Sequence, residues 1–147
     1  MNTLTNNDIN YILYNIVDNY DGCYMSDEGY KIKDGYYYVY NLNNSKQKGS
    51  HWVSLYKNKS GKSFYFDSYG FVCDKEIEPY IKPYKYNHHQ IQDINSSSCG
   101  YYCIAFIIFM KYCDNKFDDF IKMFDKNDFK LNEFILYNFL KRFNIVK

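Results

Sequence analysis

The chain has almost no net charge: 18 Lys and Arg stand against 17 Asp and Glu, a formal balance of +1 over 147 residues. No overall field therefore argues for nucleic acid or for a strongly acidic substrate, although a locally basic groove is compatible with that balance. Long hydrophobic runs are also lacking. The longest, Cys103 to Met110, falls far short of the roughly 20 residues that span a bilayer, and it reads as a buried helix with no membrane role. The opening Met1-Asn2-Thr3-Leu4 has neither the basic nor the apolar region of a secretory leader. With no leader, the odd set of five cysteines (Cys23, Cys73, Cys99, Cys103 and Cys113) points to a reducing, intracellular setting and not to a disulfide framework. No internal repeat or low-complexity linker breaks the chain, so 1–147 is expected to form a single domain. Histidine is scarce, with one isolated residue, His51, and one adjacent pair, His88-His89.

Aromatic side chains are abundant, at 22% of residues, with 19 Tyr and 12 Phe beside a single Trp. Together with plentiful Asn, Lys and Ile they suggest a coding sequence rich in A and T. Tyrosine has an apolar ring and a polar tip, so most of these residues are expected to roof a core while hydrogen-bonding at its edge.

Helical spacing of Ile9, Ile12, Leu13, Ile16, Val17 and Tyr20 predicts a first helix over Asp8 to Tyr20, capped by Thr5 or Asn7 and ended by Asp21-Gly22. Gly22 to Gly35 reads as a surface connection. Tyr36 to Leu42 reads as a strand, and a polar loop, residues 43–50, leads directly into His51. His51 to Tyr56 and Ser63 to Asp67 read as an antiparallel hairpin around Asn58-Lys59-Ser60-Gly61. If a three-residue loop is followed by Gly61 in a left-handed conformation, residue 57 faces 61 and His51 falls opposite Asp67 on the same sheet face; a slip of one residue would part them. A short helix is expected within Asp74 to Lys82 and a strand over Tyr84 to Ile91. The loop after Gln92 ends in Ser96, Ser97 and Ser98, any of which can cap the next helix. That helix, Cys99 to about Tyr112, is apolar nearly all round and should be the central buried one. Two amphipathic helices follow, and the order suits an α+β domain.

The chemistry centres on Cys99. A thiol at the first turn of a helix sits at the positive end of the helix dipole, which favours the nucleophilic thiolate. A cysteine hydrolase also needs a base, a group that orients the base, and donors for the oxyanion. His51 is the preferred base, because its hairpin partner ends in Asp67, which can hold the imidazole tautomer through Nδ1. Gln92, seven residues before Cys99, can pair its side-chain amide with the Cys99 N–H as an oxyanion hole; Gln90 is a more distant competitor. Trp52 is either a wall over the imidazole or a core aromatic. Gly100 either admits substrate behind the nucleophile or serves helix packing.

The blocks His51-Trp52-Val53-Ser54-Leu55-Tyr56, Phe64-Tyr65-Phe66-Asp67-Ser68-Tyr69-Gly70, and Gln92 leading to Ser98-Cys99-Gly100-Tyr101-Tyr102-Cys103 resemble, in order and spacing, the His, acid, Gln and Cys blocks of adenovirus-type (adenain-like) viral maturation proteases. The same clan holds the SUMO-specific proteases. Gly49 before His51-Trp52, the FDSYG block and the seven-residue step from Gln92 to Cys99 favour the viral branch, including virophages and related DNA viruses. The resemblance implies a papain-like/adenain-like α+β fold with a small, mainly antiparallel sheet. It implies a cysteine endopeptidase that cuts viral capsid or core precursors at small, often Gly-containing, sites during virion maturation. Catalytic His51, Asp67 and Cys99, an oxyanion hole of Gln92 and Cys99, and support from Trp52 and Gly100 follow from it, with no cofactor and no metal. Precursor proteins would be its partners, in the virion and the infected cell, with no membrane partner and a monomeric state. Family members respond to an activating peptide and to DNA. Cys73 and Cys113 are the thiols to consider for a peptide tether, and the near-neutral charge lends DNA no independent support. The chain is short for this family, and it carries Asp67 where adenoviral enzymes carry Glu.

Plainer readings stand beside these. Cys103, Cys23 and Cys113 read as core packing, and His88-His89 as exposed strand residues. A zinc site from His88, His89, Cys99 and Cys103 lacks the usual knuckle spacing. The basic residues Lys130, Lys141, Arg142 and Lys147 read as a solvated helix face. Rival functions for the same Cys/His/Asp set are a ubiquitin-like-modifier isopeptidase and an acetyltransferase; a non-catalytic capsid-binding module is the rival from another class.

Overall fold

A computed structural model describes residues 1–42 and 51–147; the predicted loop 43–50, with Gly49, lies outside the described residues. The chain forms a small α+β domain in which a mixed five-stranded sheet is packed by helices. Helix α1 (Asn6–Ile16) begins at Thr5, whose hydroxyl and backbone form a reciprocal capping box with Asp8. Strands β1 (Tyr20–Met25), β2 (Tyr36–Asn41), β3 (Trp52–Lys57), β4 (Ser63–Phe66) and β5 (Tyr84–Tyr86) lie side by side in chain order. Short 3₁₀ turns occupy Ser26–Lys31 and Glu78–Tyr80. Helices α2 (Cys99–Tyr112), α3 (Phe117–Lys122) and α4 (Phe129–Arg142) complete the chain.

Several expectations change. The sheet is not mainly antiparallel: β2–β3 and β3–β4 are antiparallel, but β1–β2 and β4–β5 are parallel. Gly22 to Gly35 is not simply a surface connection. Its first residues belong to β1, which pairs with β2 from Tyr20↔Tyr37 to Met25↔Asn41. The helix does not reach Tyr20: it ends at Ile16 with Val17 as its C-cap, so Asp21 and Gly22 lie within β1 and do not stop it, and the hydrogen-bond partner that makes a strand of them arrives only later in the chain. The predicted strand over Tyr84 to Ile91 ends at Tyr86, and His88 has left-handed backbone, φ 56°, so His88-His89 are turn residues and not strand residues.

Both faces of the sheet are covered, which is why its strands read as near-continuous aromatic and β-branched runs. On one face Tyr37, Val39, Trp52, Tyr56, Phe64 and Phe66 meet the helices; on the other Tyr38, Tyr40, Val53, Leu55 and Tyr65 meet Cys73, Ile77 and Ile81. Helix α2 is the central element, with ten of its fourteen residues buried. Phe106 stacks on Phe66 at 5.5 Å and meets Phe117 and Phe120 edge-on. Tyrosines do roof this core with bonded tips: Tyr40 donates to the Glu28 carbonyl at 2.9 Å, and Tyr37 donates to Asn115 Oδ1 at 3.0 Å.

The β3–β4 register differs from the expected one by two residues. Lys57 faces Ser63 and Ser54 faces Phe66. Asn58 sets this, because its side-chain oxygen accepts from Ser60 N at 3.0 Å and from Lys62 N at 2.9 Å, while Asn58 N donates to the Lys62 carbonyl at 2.8 Å. Gly61, at φ +85°, is thereby the last loop residue and not the first of β4. Continuing the ladder places Tyr69, not Asp67, opposite His51. A shift of two preserves the face, so Asp67 stays within diagonal reach.

Directly after Asp67 the chain turns, with Gly70 N donating to the Asp67 carbonyl at 2.8 Å. Gly70 has φ +82°, and an added Cβ would lie 2.4 Å from the His89 carbonyl carbon and 2.6 Å from Gln90 N. Gly70→Ala should therefore lose about 1–3 kcal/mol from backbone strain alone, before any displacement of residues 88–90; the loss is read from urea unfolding followed by circular dichroism.

Candidate active site

The site stands at the end of β3 and β4 where α2 begins. His51 precedes β3, Asp67 follows β4, and Cys99 opens α2. His51 Nε2 meets Asp67 Oδ1 at 2.6 Å. This corrects the expected tautomer contact: the acid takes Nε2, not Nδ1. With the ladder offset by two, Asp67 lies diagonally across from His51, and it is the far ring nitrogen that reaches it. Nδ1 is buried and makes no other hydrogen bond of ordinary geometry. It is therefore the nitrogen left for proton exchange with a thiol.

Burial of the ring lowers the His51 pKa, but hydrogen bonding to Asp67 and to Cys99, followed by their charge, outweighs it and pushes the value up to about 9. His51 thus answers to both partners, which come from two other elements. Asp67 is 1% exposed; its Oδ1 also accepts Tyr69 N at 2.8 Å, its Oδ2 is buried without a hydrogen bond, and its backbone is clamped by Asn87. Asn87 Oδ1 accepts Asp67 N at 3.2 Å, and Asn87 Nδ2 donates to the Asp67 carbonyl at 2.7 Å.

The ring lying on the imidazole is Tyr69, stacked at 4.0 Å with an interplanar angle of 11°. Trp52, expected as a wall or as a core aromatic, belongs to the buried cluster that also contains Cys99 and Val39. Gly100 serves packing: a Cβ there would lie 3.2 Å from Leu4 Cβ and 3.3 Å from Ile9 Cδ1, so the missing side chain lets the N-terminal segment and α1 close on α2.

Gln92 is fully buried and fixed at both ends of its amide. Its Oε1 accepts from Ser68 Oγ at 2.6 Å, and its Nε2 donates to the Ser96 carbonyl at 3.0 Å and to Ser96 Oγ at 3.2 Å. It therefore links the residue after Asp67 to the loop that ends in Cys99. Gln90 instead donates to the Gln92 carbonyl at 2.8 Å. Ser98 holds the N-cap position of α2 but makes no side-chain cap bond there.

Burial pushes the thiols of Cys103 and Cys73 well up, and that of Cys23 up to about 11. Cys113, expected in the core, is exposed just past the end of α2. Cys103 lies inside the core while His88 is exposed on its turn. Among the described residues no three His, Cys, Asp or Glu side chains are grouped as metal ligands would be. No helix of the described residues is long and apolar enough to cross a membrane.

Tyr69, Asn87, Ser68 and Ser96 are site residues that sequence reasoning missed. Each is a polar or aromatic loop residue whose partner is distant in sequence or across the sheet, and none falls in a periodic pattern. No protein-family model matches the chain, and no curated protein matches it in sequence.

Because the fold raises the His51 pKa from its ordinary 6.5 to about 9, the protonated ring is favoured by folding. The associated stability is complete below about pH 6.5 and lost as pH rises through about 9. In ¹³Cε1 histidine spectra His51 should titrate near 9, apart from His89, whose value is lowered by burial and by Lys126. Asp67→Asn should move the His51 midpoint back toward its ordinary value, and an unmoved midpoint would show that Asp67 is not the cause.

Proposed function

We propose that this chain is a thiol-dependent endopeptidase with a papain-like/adenain-like fold, acting on viral precursor proteins during virion maturation. The single observation that carries the reading is that one partly buried imidazole is bonded to Asp67 at 2.6 Å and is also acted on by the thiol at the head of the central helix. The block resemblance supplies the substrate class. The chemistry follows from the residues.

In this reading Cys99 gives its proton to His51, and its sulfur, at the positive end of α2, is the nucleophile. Sulfur attacks the scissile carbonyl and the carbonyl oxygen becomes an oxyanion, which the Cys99 N–H and the Gln92 amide are assigned to receive. His51 passes its Nδ1 proton to the departing amine, and the thioester remains. Water, losing a proton to His51, then hydrolyses the thioester. Asp67 and the Tyr69 ring keep the imidazole in plane throughout, so that proton transfer needs no reorientation. A cavity of about 510 Å³ is lined by Leu4, Met25, Glu28, Asn41 and Trp52, the residue next to His51, and is the candidate room for residues on one side of the scissile bond.

The test has two parts. Iodoacetamide at pH 6 should alkylate Cys99 ahead of the exposed Cys113, as peptide mapping would read, and His51→Ala should slow that reaction by about 10-fold or more, since the thiolate fraction falls with its partner. Incubation with candidate capsid precursors should generate new N-termini that are absent with Cys99→Ser. Labelling by a ubiquitin-like-modifier vinyl sulfone without precursor cleavage would favour the isopeptidase instead, and transfer of label from acetyl-CoA would favour the acetyltransferase. Equal reactivity of Cys99 and Cys113, unchanged by His51→Ala, would sink the enzyme reading altogether.

A further inference from the structure

The loop between Gln92 and Cys99 is held from outside by α4. Glu133 Oε1 accepts two hydroxyl hydrogen bonds, from Ser96 Oγ at 2.8 Å and from Ser98 Oγ at 2.7 Å. The two serines have different neighbours. Ser96 receives the Gln92 amide at its carbonyl and its hydroxyl, and its Oγ also accepts Ser98 N at 3.2 Å. Ser98 occupies the cap of α2, where a serine oxygen ordinarily accepts an amide of the first turn. Here it makes no such bond, its backbone at φ −89°, ψ 8° departing from the extended conformation of a capping serine, and its hydroxyl donates to Glu133 instead. A single carboxylate therefore anchors both the serine that supports Gln92 and the serine at the head of α2.

Sequence separation makes the arrangement specific to the fold: Glu133 lies 37 and 35 residues from its two partners. Glu133 Oε2 and the Tyr102 hydroxyl are both buried without a hydrogen bond. Burial, and then the charge of Glu133, raise the Tyr102 phenol above its ordinary value. The carboxylate is thus flanked by an un-ionised phenol and two hydroxyl donors, with no cation among these contacts.

We propose that Glu133 is a positioning residue for the oxyanion-binding groups, orienting the Gln92 amide through Ser96 and anchoring Ser98 at the head of α2. The proposal rests on the hydrolase reading of Cys99. Neither His51 nor Asp67 is bonded to this network, so its loss leaves the Cys99–His51 pair in place. Without the carboxylate, Ser96 and Ser98 lose their common anchor, and the Gln92 amide that Ser96 holds is free to turn. Attack on a carbonyl suffers, whereas displacement at a saturated carbon, which forms no oxyanion, does not.

The experiment compares two reactions of the same sulfur on the full chain. Iodoacetamide alkylates Cys99 by displacing iodide. p-Nitrophenyl acetate acylates it through a tetrahedral intermediate, forming a thioester and releasing p-nitrophenolate, which is followed as a burst. Glu133→Ala should slow the burst about 10-fold, less than the ~10²–10³ of losing a whole oxyanion donor, while alkylation stays within about 2-fold. Glu133→Gln, which keeps an acceptor oxygen at Oε1, should recover most of the lost rate. The Glu133→Ala effect should shrink in a Gln92→Ala background, because residues that act through one another are not additive.

An unchanged burst in Glu133→Ala overturns the proposal, and so does a parallel fall of burst and alkylation, which marks a merely structural role. Should Glu133→Ala fail to fold, Ser96→Ala, which removes the hydroxyl that joins Glu133 to the Gln92 amide while leaving the Ser98 contact, must give the same split between the two reactions, and an equal fall refutes it. If the wild-type burst is no larger than that of Cys99→Ser, the hydrolase reading fails and this proposal falls with it. A Cys99-dependent burst that is insensitive to Glu133 refutes this proposal alone.

Discussion

A carboxyl group with 1% of its surface exposed must find its partners inside the protein, and for Asp67 those partners are the His51 ring and the Tyr69 amide. Much of the site depends on meeting that demand. The imidazole has to sit at the head of β3, so the hairpin register must bring residues 51 and 67 to one face. The turn after Asp67 must be tight enough to return Tyr69 over the ring, and only glycine fits at position 70. Asn87, just after β5, then closes the backbone of Asp67 from the far side, which ties the edge of the sheet to the same point.

Helix α2 supplies the opposing wall. Its all-round apolar surface leaves it no solvent face except near its end, so it is driven to the middle of the domain, and its first residue is delivered to the end of the strands. Packing fixes that delivery closely, because Leu4 and Ile9 press where Gly100 lacks a side chain. The thiol is thus set by helix burial and the imidazole by sheet register. Two independent constraints meet at His51, whose pKa reports both.

Polar residues around Gln92 extend the same logic outward. From Ser68 beside the acid, through Gln92 and Ser96, to Glu133 and back to Ser98 beside the thiol, hydrogen bonds run between elements that share no sequence neighbourhood. The shared carboxylate oxygen, Glu133 Oε1, gives the two serine hydroxyls an acceptor that they would otherwise lack.

What could be read from the chain by itself was whatever local chemistry repeats or punctuates. The period of α1 and its Thr5 cap, the apolar span of α2 from Cys99, the hairpin around Asn58 to Gly61, and the shared face of His51 and Asp67 were legible for that reason. The parallel partner of β1, the two-residue offset of β3 against β4, the exposure of Cys113 and the choice of Nε2 over Nδ1 were not. Each depends on a contact with a residue far along the chain or on the direction of one side chain, such as the Asn58 carboxamide that closes its own turn. Tyr69 and Glu133 make the same point: their types and positions are unremarkable in sequence, and only the folded sheet and α4 bring them to the imidazole and to the serines. Local pattern determines which residues are candidates, because side-chain type and spacing act over a few residues. Tertiary structure decides which atoms face one another, because hydrogen bonds and packing join residues that the chain holds apart.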